Sequence, residues 1–169
     1  TLPELTVEDF VFLGWFDNAS FSGTAITSIA AGSYGNLTLF AKFLVNTYDL
    51  QYYVDGVLHQ TVTYAYQAEV TPLTEPSQTG YTFSGWSSIP STMPAQNIRI
   101  DGTFTINTYV IEYYVDDVLH ETMSYEYNAA VTSLPELSQT GYAFSGWSSI
   151  PSNMPAQDVR VDGTFTLIA

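Results

Sequence analysis

Asn46-Thr47-Tyr48-Asp49-Leu50-Gln51-Tyr52-Tyr53-Val54-Asp55-Gly56-Val57-Leu58-His59 returns 61 residues later as Asn107-Thr108-Tyr109-Val110-Ile111-Glu112-Tyr113-Tyr114-Val115-Asp116-Asp117-Val118-Leu119-His120. The local period is two. Tyr48, Leu50, Tyr52 and Val54 alternate with Asp49, Gln51 and Tyr53, which predicts a strand with one face toward a core. Asp55-Gly56 supplies two residues that accept positive φ, so the strand turns through a tight hairpin into Val57–Tyr66. The later copy, 107–167, has Asp116-Asp117 there, and Asp tolerates positive φ less readily than Gly.

Working outward, the whole of 46–106 repeats as 107–167 without a gap, with about 42 of 61 positions identical. Each copy continues through loop residues to a short aromatic strand, Tyr81–Trp86 in the first instance. Pro90–Pro94 predicts a turn or one turn of helix, and Gln67–Thr71 has room for another helical turn. Ile98, Ile100 and Phe104 belong to a last strand.

A partial third copy precedes these two. Leu2-Pro3-Glu4-Leu5 reproduces Leu134-Pro135-Glu136-Leu137, and Phe12-Leu13-Gly14-Trp15 answers Phe83-Ser84-Gly85-Trp86. Asn36–Phe43 takes the place of Asn97–Phe104, after a connection ten residues longer. Everything equivalent to 46–70 is missing, so the chain reads as starting in mid-module and as a fragment of a longer protein. The organisation expected is a truncated repeat at 1–45 and β modules at 46–106 and 107–169. The junctions around Val45-Asn46-Thr47 and Ile106-Asn107-Thr108 lack Gly, Ser and Pro, which predicts a semi-rigid, elongated array.

Composition restricts what such modules can do. Seventeen acidic residues against three basic ones give a net charge of −14. Lys42, Arg99 and Arg160 are too few for phosphate-backbone binding, which excludes nucleic acid as a direct partner. No apolar run reaches the roughly 20 residues of a membrane span. The absence of cysteine removes disulfides, thiolate metal sites and thiol nucleophiles. Hydrophobic residues at 46% and aromatics at 15% are ample for packed cores. Each copy carries one F-x-G-W, whose Trp is expected to anchor a small core, with the preceding Gly allowing a bulge or a close backbone approach.

These residues, G-[YF]-x-F-x-G-W followed by a loop and Asn36-Leu37-Thr38-Leu39-Phe40-Ala41-Lys42-Phe43, resemble the Listeria–Bacteroides repeat, the module also found as the B repeats of internalins. The resemblance implies a mostly β chain of tandem, small β-grasp-like modules with little helix, in secreted or cell-wall-attached bacterial proteins. There the modules serve as stalk, spacer or adhesion element beside the other domains of a longer parent chain. No catalytic residues come with it.

The remaining candidates follow from residue chemistry. His59 and His120 occupy equivalent positions in different modules, so they do not converge on one metal or substrate, and no nucleophile–base pair surrounds them. The acidic residues are scattered, without calcium-loop spacing. The expectation is no enzyme, no cofactor and no metal. Tyr53, Tyr64, Tyr66 and their equivalents Tyr114, Tyr125 and Tyr127 are the candidate ligand-binding side chains. Tyr53, Tyr66, Tyr114 and Tyr127 are the foremost of these, as rings on a sheet face suited to a host glycan or protein; the competing reading puts them in cores.

Overall fold

The computed structural model describes residues 1–168. Twelve strands run in chain order: β1 (Phe10–Phe16), β2 (Phe40–Val45), β3 (Thr47–Val54), β4 (Val57–Ala65), β5 (Tyr81–Phe83), β6 (Ile98–Gly102), β7 (Phe104–Ile106), β8 (Thr108–Val115), β9 (Val118–Glu126), β10 (Tyr142–Phe144), β11 (Val159–Gly163) and β12 (Phe165–Leu167). Among the described residues there is no helix. The fold is mostly β, built as several small sheets in tandem.

The hairpins form where the alternation places them. Strand β3 pairs antiparallel with β4, and β8 with β9, each in a register broken at one bulge, between Tyr52 and Tyr53 and between Tyr113 and Tyr114. Both turns use positive φ: 50° and 78° at Asp55-Gly56, 48° and 63° at Asp116-Asp117. Alternation then sends Leu50 and Tyr52 inward, fully buried, while Gln51 and Tyr53 face out. Strand β6 flanks β3 on its other side. In the later copy β11 runs parallel to β8, from Val159 opposite Ile111 to Gly163 opposite Val115.

The chain folds as two compact units: Thr1–Leu73 with Trp86–Asp101, and Thr74–Gly85 with Gly102–Ala169. In the first unit, Leu50, Tyr52, Val70, Met93 and Ile100 make the core, with Trp86 and Ile89 packed against it. In the second, Ile111, Tyr113, Met154 and Val161 do so, with Trp147 and Ile150 alongside. The last strand expected from sequence is divided. Strand β6 joins the core sheet, whereas β7 turns away at Thr103 to pair with β5. The aromatic strand is shorter than expected and ends at Phe83, before the glycine at φ 82°.

The two helical turns are replaced by mutual pairing. Gln67 sits at φ 61°. Its amide donates to Met93 O at 2.9 Å, Met93 N donates to Ala68 O at 2.9 Å, and Val70 N donates to Ser91 O at 3.0 Å. The same three bonds recur from Asn128, Met154 and Val131. Each loop satisfies the other's backbone groups and drives a methionine into the core, which one isolated helical turn would not do.

Candidate functional site

The tryptophans are anchored as their sequence context indicates. Trp86 Nε1 donates to Leu73 O at 3.0 Å, Trp147 Nε1 to Pro135 O at 3.1 Å and Trp15 Nε1 to Pro3 O at 2.7 Å. The indole edge is thereby satisfied while its ring packs. Tyr52 meets Trp86 edge-on at 4.9 Å between centroids, and Tyr113 meets Trp147 at 5.0 Å. His59 and His120 also approach these rings, each tilted at 6.2 Å between centroids. Both histidines fall at the β-bulge and are exposed. Gly14 supplies the bulge in β1: its φ is 126°, and a Cβ there would lie 2.7 Å from that of Ala25.

The candidate tyrosines separate into two kinds of place. Tyr53 lies on the outer face of its sheet with the Arg99 guanidinium 3.8 Å from its ring centre. Arg99 is forked onto Asp101, with Nε 3.0 Å from both carboxylate oxygens and Nη2 2.7 Å from Oδ1. That hydrogen bond, helped by the positive charge, holds the Asp101 carboxyl below the usual carboxylate range. Tyr114 repeats the arrangement with Arg160 at 3.9 Å. Arg160 bonds Asp162 at 2.8 Å and Asp117 at 2.7 Å. The Tyr114 hydroxyl donates to Glu112 Oε2 at 3.1 Å, a bond that raises its pKa, as does its partial desolvation.

Tyr66 and Tyr127 sit elsewhere, against the short two-stranded sheets β1–β2 and β5–β7. Tyr66 meets Phe10 edge-on at 6.4 Å, and Tyr127 meets Tyr81 at 6.2 Å. In the second unit the Tyr127 ring closes over Gly80 so tightly that a Cβ on that residue would fall 2.2 Å from it. Tyr64 and Tyr125 are bound to loops, donating to Thr71 O and Thr132 O at 3.1 Å. Within the first unit, therefore, Tyr53 and Tyr66 serve different surfaces, as do Tyr114 and Tyr127 in the second. The arginines beside Tyr53 and Tyr114 were not singled out from sequence as partners. Their signal was present as Arg-x-Asp-Gly, repeated in register at 99–102 and 160–163.

Lys42 lies over the rings of Phe16 and Phe21, at 5.5 and 5.8 Å. Among the described residues no three His, Asp or Glu side chains gather in a metal-binding group. The Tyr–Arg–Asp arrangement recurs in both full copies, whereas the Arg160–Asp117 and Tyr114–Glu112 contacts are made in the later copy, where the earlier one has Gly56 and Gln51.

Such a molecule is a tandem-repeat β protein, each repeat built on one Trp. The sequence pattern of the Listeria-Bacteroides repeat domain matches it three times, at residues 1–42, 48–108 and 109–169, and the chain belongs to that family. Over 116 residues it is 33% identical to Internalin H of Listeria monocytogenes, which takes in 60% of this chain and 20% of that protein. Over 158 residues it is 23% identical to a protein of Evansella cellulosilytica named as a membrane protein, covering 84% of this chain and 24% of the other. The chain thus matches about a fifth to a quarter of the length of these relatives.

Proposed function

We propose that this chain is a non-enzymatic repeat region of a bacterial surface protein, displayed outside the cell, which holds other domains of its parent at a distance. The observation that carries this reading is internal duplication of the polar surface itself. Tyr53–Arg99–Asp101 and Tyr114–Arg160–Asp162 pair their charges within each copy. Repeated surfaces whose Tyr–Arg–Asp charges are paired internally suit a unit that is multiplied for length, since each repeat adds a folded step built on the same contacts. The family membership and the likeness to Internalin H support the surface location.

The decisive experiment separates length from sequence. A reporter adhesion domain is displayed beyond the chain on a bacterial surface, and residues 107–167 are either deleted or replaced by an unrelated β module of similar size. A spacer loses reach on deletion and regains it on replacement. If replacement fails to restore adhesion, the spacer reading is overturned.

A second reading has its own observation. The Tyr–Arg stack is presented on the outer sheet face in both copies, with the Arg99 side chain 52% exposed. Tyr and Arg are favoured at binding hot spots, so the same face suits a host glycan or protein. Tyr53→Ala with Tyr114→Ala abolishes glycan-array or host-cell binding under this reading; binding retained by the double variant counts against it.

A further inference from the structure

Tyr81 and Phe83 alternate with Thr82 in β5, so their rings share one face of the β5–β7 sheet. Phe104, opposite Phe83 in the register, meets these two rings at 6.4 and 5.1 Å between centroids. The three rings and the loop Pro76-Ser77-Gln78-Thr79 line an open cleft of about 360 Å³. The backbone holds the loop in place. Tyr81 N donates to Gln78 O at 3.1 Å across a turn with Gly80 at φ 78°, and Asn107 N donates to Gly80 O at 2.8 Å. The Tyr127 ring closes over that glycine and meets Tyr81 edge-on. A polar wall, with Ser77, Gln78 and Thr79 exposed, is thereby fixed beside an aromatic one.

The chemistry of the lining selects its occupant. None of the lining residues is charged, so an ionic ligand meets no counter-charge in the cleft. The net charge of −14 disfavours anions further. Hydroxyls and a carboxamide both donate and accept hydrogen bonds, which matches a ligand dense in hydroxyl groups. Aromatic rings suit the C–H face of the same ligand. A polyproline segment needs an aromatic-lined groove, whereas one wall here is polar. The first copy has Val7 and Glu8 where Gln78 and Thr79 stand, so this lining belongs to the full copies. The later one keeps Ser138-Gln139-Thr140 and Tyr142, with Leu137 in place of Pro76.

We propose that this cleft binds an uncharged saccharide, whose ring lies against Tyr81, Phe83 and Phe104 while Ser77, Gln78 and Thr79 bond its hydroxyls. The cleft is at the small end of ordinary ligand pockets, which span about 300–1,000 Å³, so it takes a short stretch of a glycan. It shares no residue with the Tyr–Arg stacks. The proposal therefore stands or falls apart from both the spacer reading and the adhesive reading of those stacks.

The test follows the amide chemical shifts of the full chain by NMR during titration with maltotriose, chitotriose and lactose, each to about 10 mM. At least one of these neutral sugars is expected to move the amides of residues 77–83 and of Phe104, with saturation. Ser77→Ala with Gln78→Ala, both at exposed positions, should weaken that binding about tenfold while the rest of the spectrum stays in place. Tyr53→Ala with Tyr114→Ala should leave it unchanged, which separates this site from the Tyr–Arg stacks. Trigalacturonate, a charged counterpart, should bind more weakly than the neutral sugar. The absence of saturable shifts at residues 77–83 with all three neutral sugars would overturn the proposal. So would binding undiminished in the Ser77–Gln78 double variant, or tighter binding of trigalacturonate. A decaproline peptide that moves these amides where the sugars do not would make a proline-rich segment the occupant instead.

Discussion

The first and second copies contain the same tryptophan motif and bury very different amounts around it. Around Trp86, five side chains are buried as a core, two of them supplied by the hairpin strand β3. In the first copy Phe16 is the sole buried large hydrophobic among the described residues, while Val11, Leu13, Ile29 and Leu37 remain exposed. A shared motif is therefore not a shared core. The Trp positions a loop edge through its indole N–H, but the strands that close over it decide how much water leaves.

The largest expected consequence concerns those strands. Tyr52→Ala should cost about 3–5 kcal/mol by urea unfolding, since it removes a fully buried aromatic of β3 and leaves a cavity. Leu37→Ala, on the exposed counterpart of Ile98, should stay within about 0.5 kcal/mol. A large loss at Leu37 would mean the first copy has a core of its own and would break the comparison.

Next come the short two-stranded sheets β5–β7 and β10–β12. Gly80 and Gly141 are equivalent, at φ 78° and 83°. Only Gly80 is covered by a tyrosine ring; Gly141 has open space where a Cβ would go. Gly141→Ala should cost about 1–2 kcal/mol from backbone strain alone. Gly80→Ala should cost a further 1–3 kcal/mol or so for displacing Tyr127, a difference read from the two melting curves. Equal costs would show that the tyrosine yields freely.

Alkaline pH should act on both cores alike. Burial raises the pKa of Tyr52 and Tyr113 above the ordinary tyrosine value. The folded state therefore favours the neutral phenol. Its contribution is complete below the unfolded pKa of about 10 and is lost as pH rises from there through the folded value. Stability measured against pH should fall above about pH 10, and Tyr113→Phe should flatten the fall.

The smallest effect distinguishes the two tight turns. Asp117→Gly restores the Asp-Gly of the earlier copy and relieves a non-glycine at φ 63°. It also gives up the exposed ion pair with Arg160, worth about 0–1 kcal/mol. A net gain below about 1 kcal/mol is expected by urea titration; a loss would rank the ion pair above the strain.

How much of this was legible in the sequence depends on the range of the interaction. The Tyr48–Val54 alternation and the Asp55-Gly56 turn mark β3 and β4 because pleat and turn are set by neighbours. The sequence leaves Pro90–Pro94 open between a turn and one turn of helix and allows a helical turn at Gln67–Thr71; neither helical turn forms, since each segment's hydrogen-bond partners lie in the other, some twenty residues away. The candidate tyrosines were legible as a set but not as two kinds. Alternation identifies Tyr53 as outward-facing; it cannot indicate that Arg99 lies across its ring, or that Tyr66 meets Phe10.

The sequence by itself determined the repeat, its period, its hairpin and its tryptophan anchor, together with the family those residues define. All of these are carried by residues close along the chain or by identity between copies. Tertiary structure alone decided that the last strand divides at Thr103 between two sheets, so that β5 and β7 belong with the following core while β6 closes the preceding one. The physical reason is that backbone pairing between distant segments leaves no local period. Gly102 and Thr103 allow the division, but only the partners waiting on either side, β3 for one half and β5 for the other, make it the stable choice.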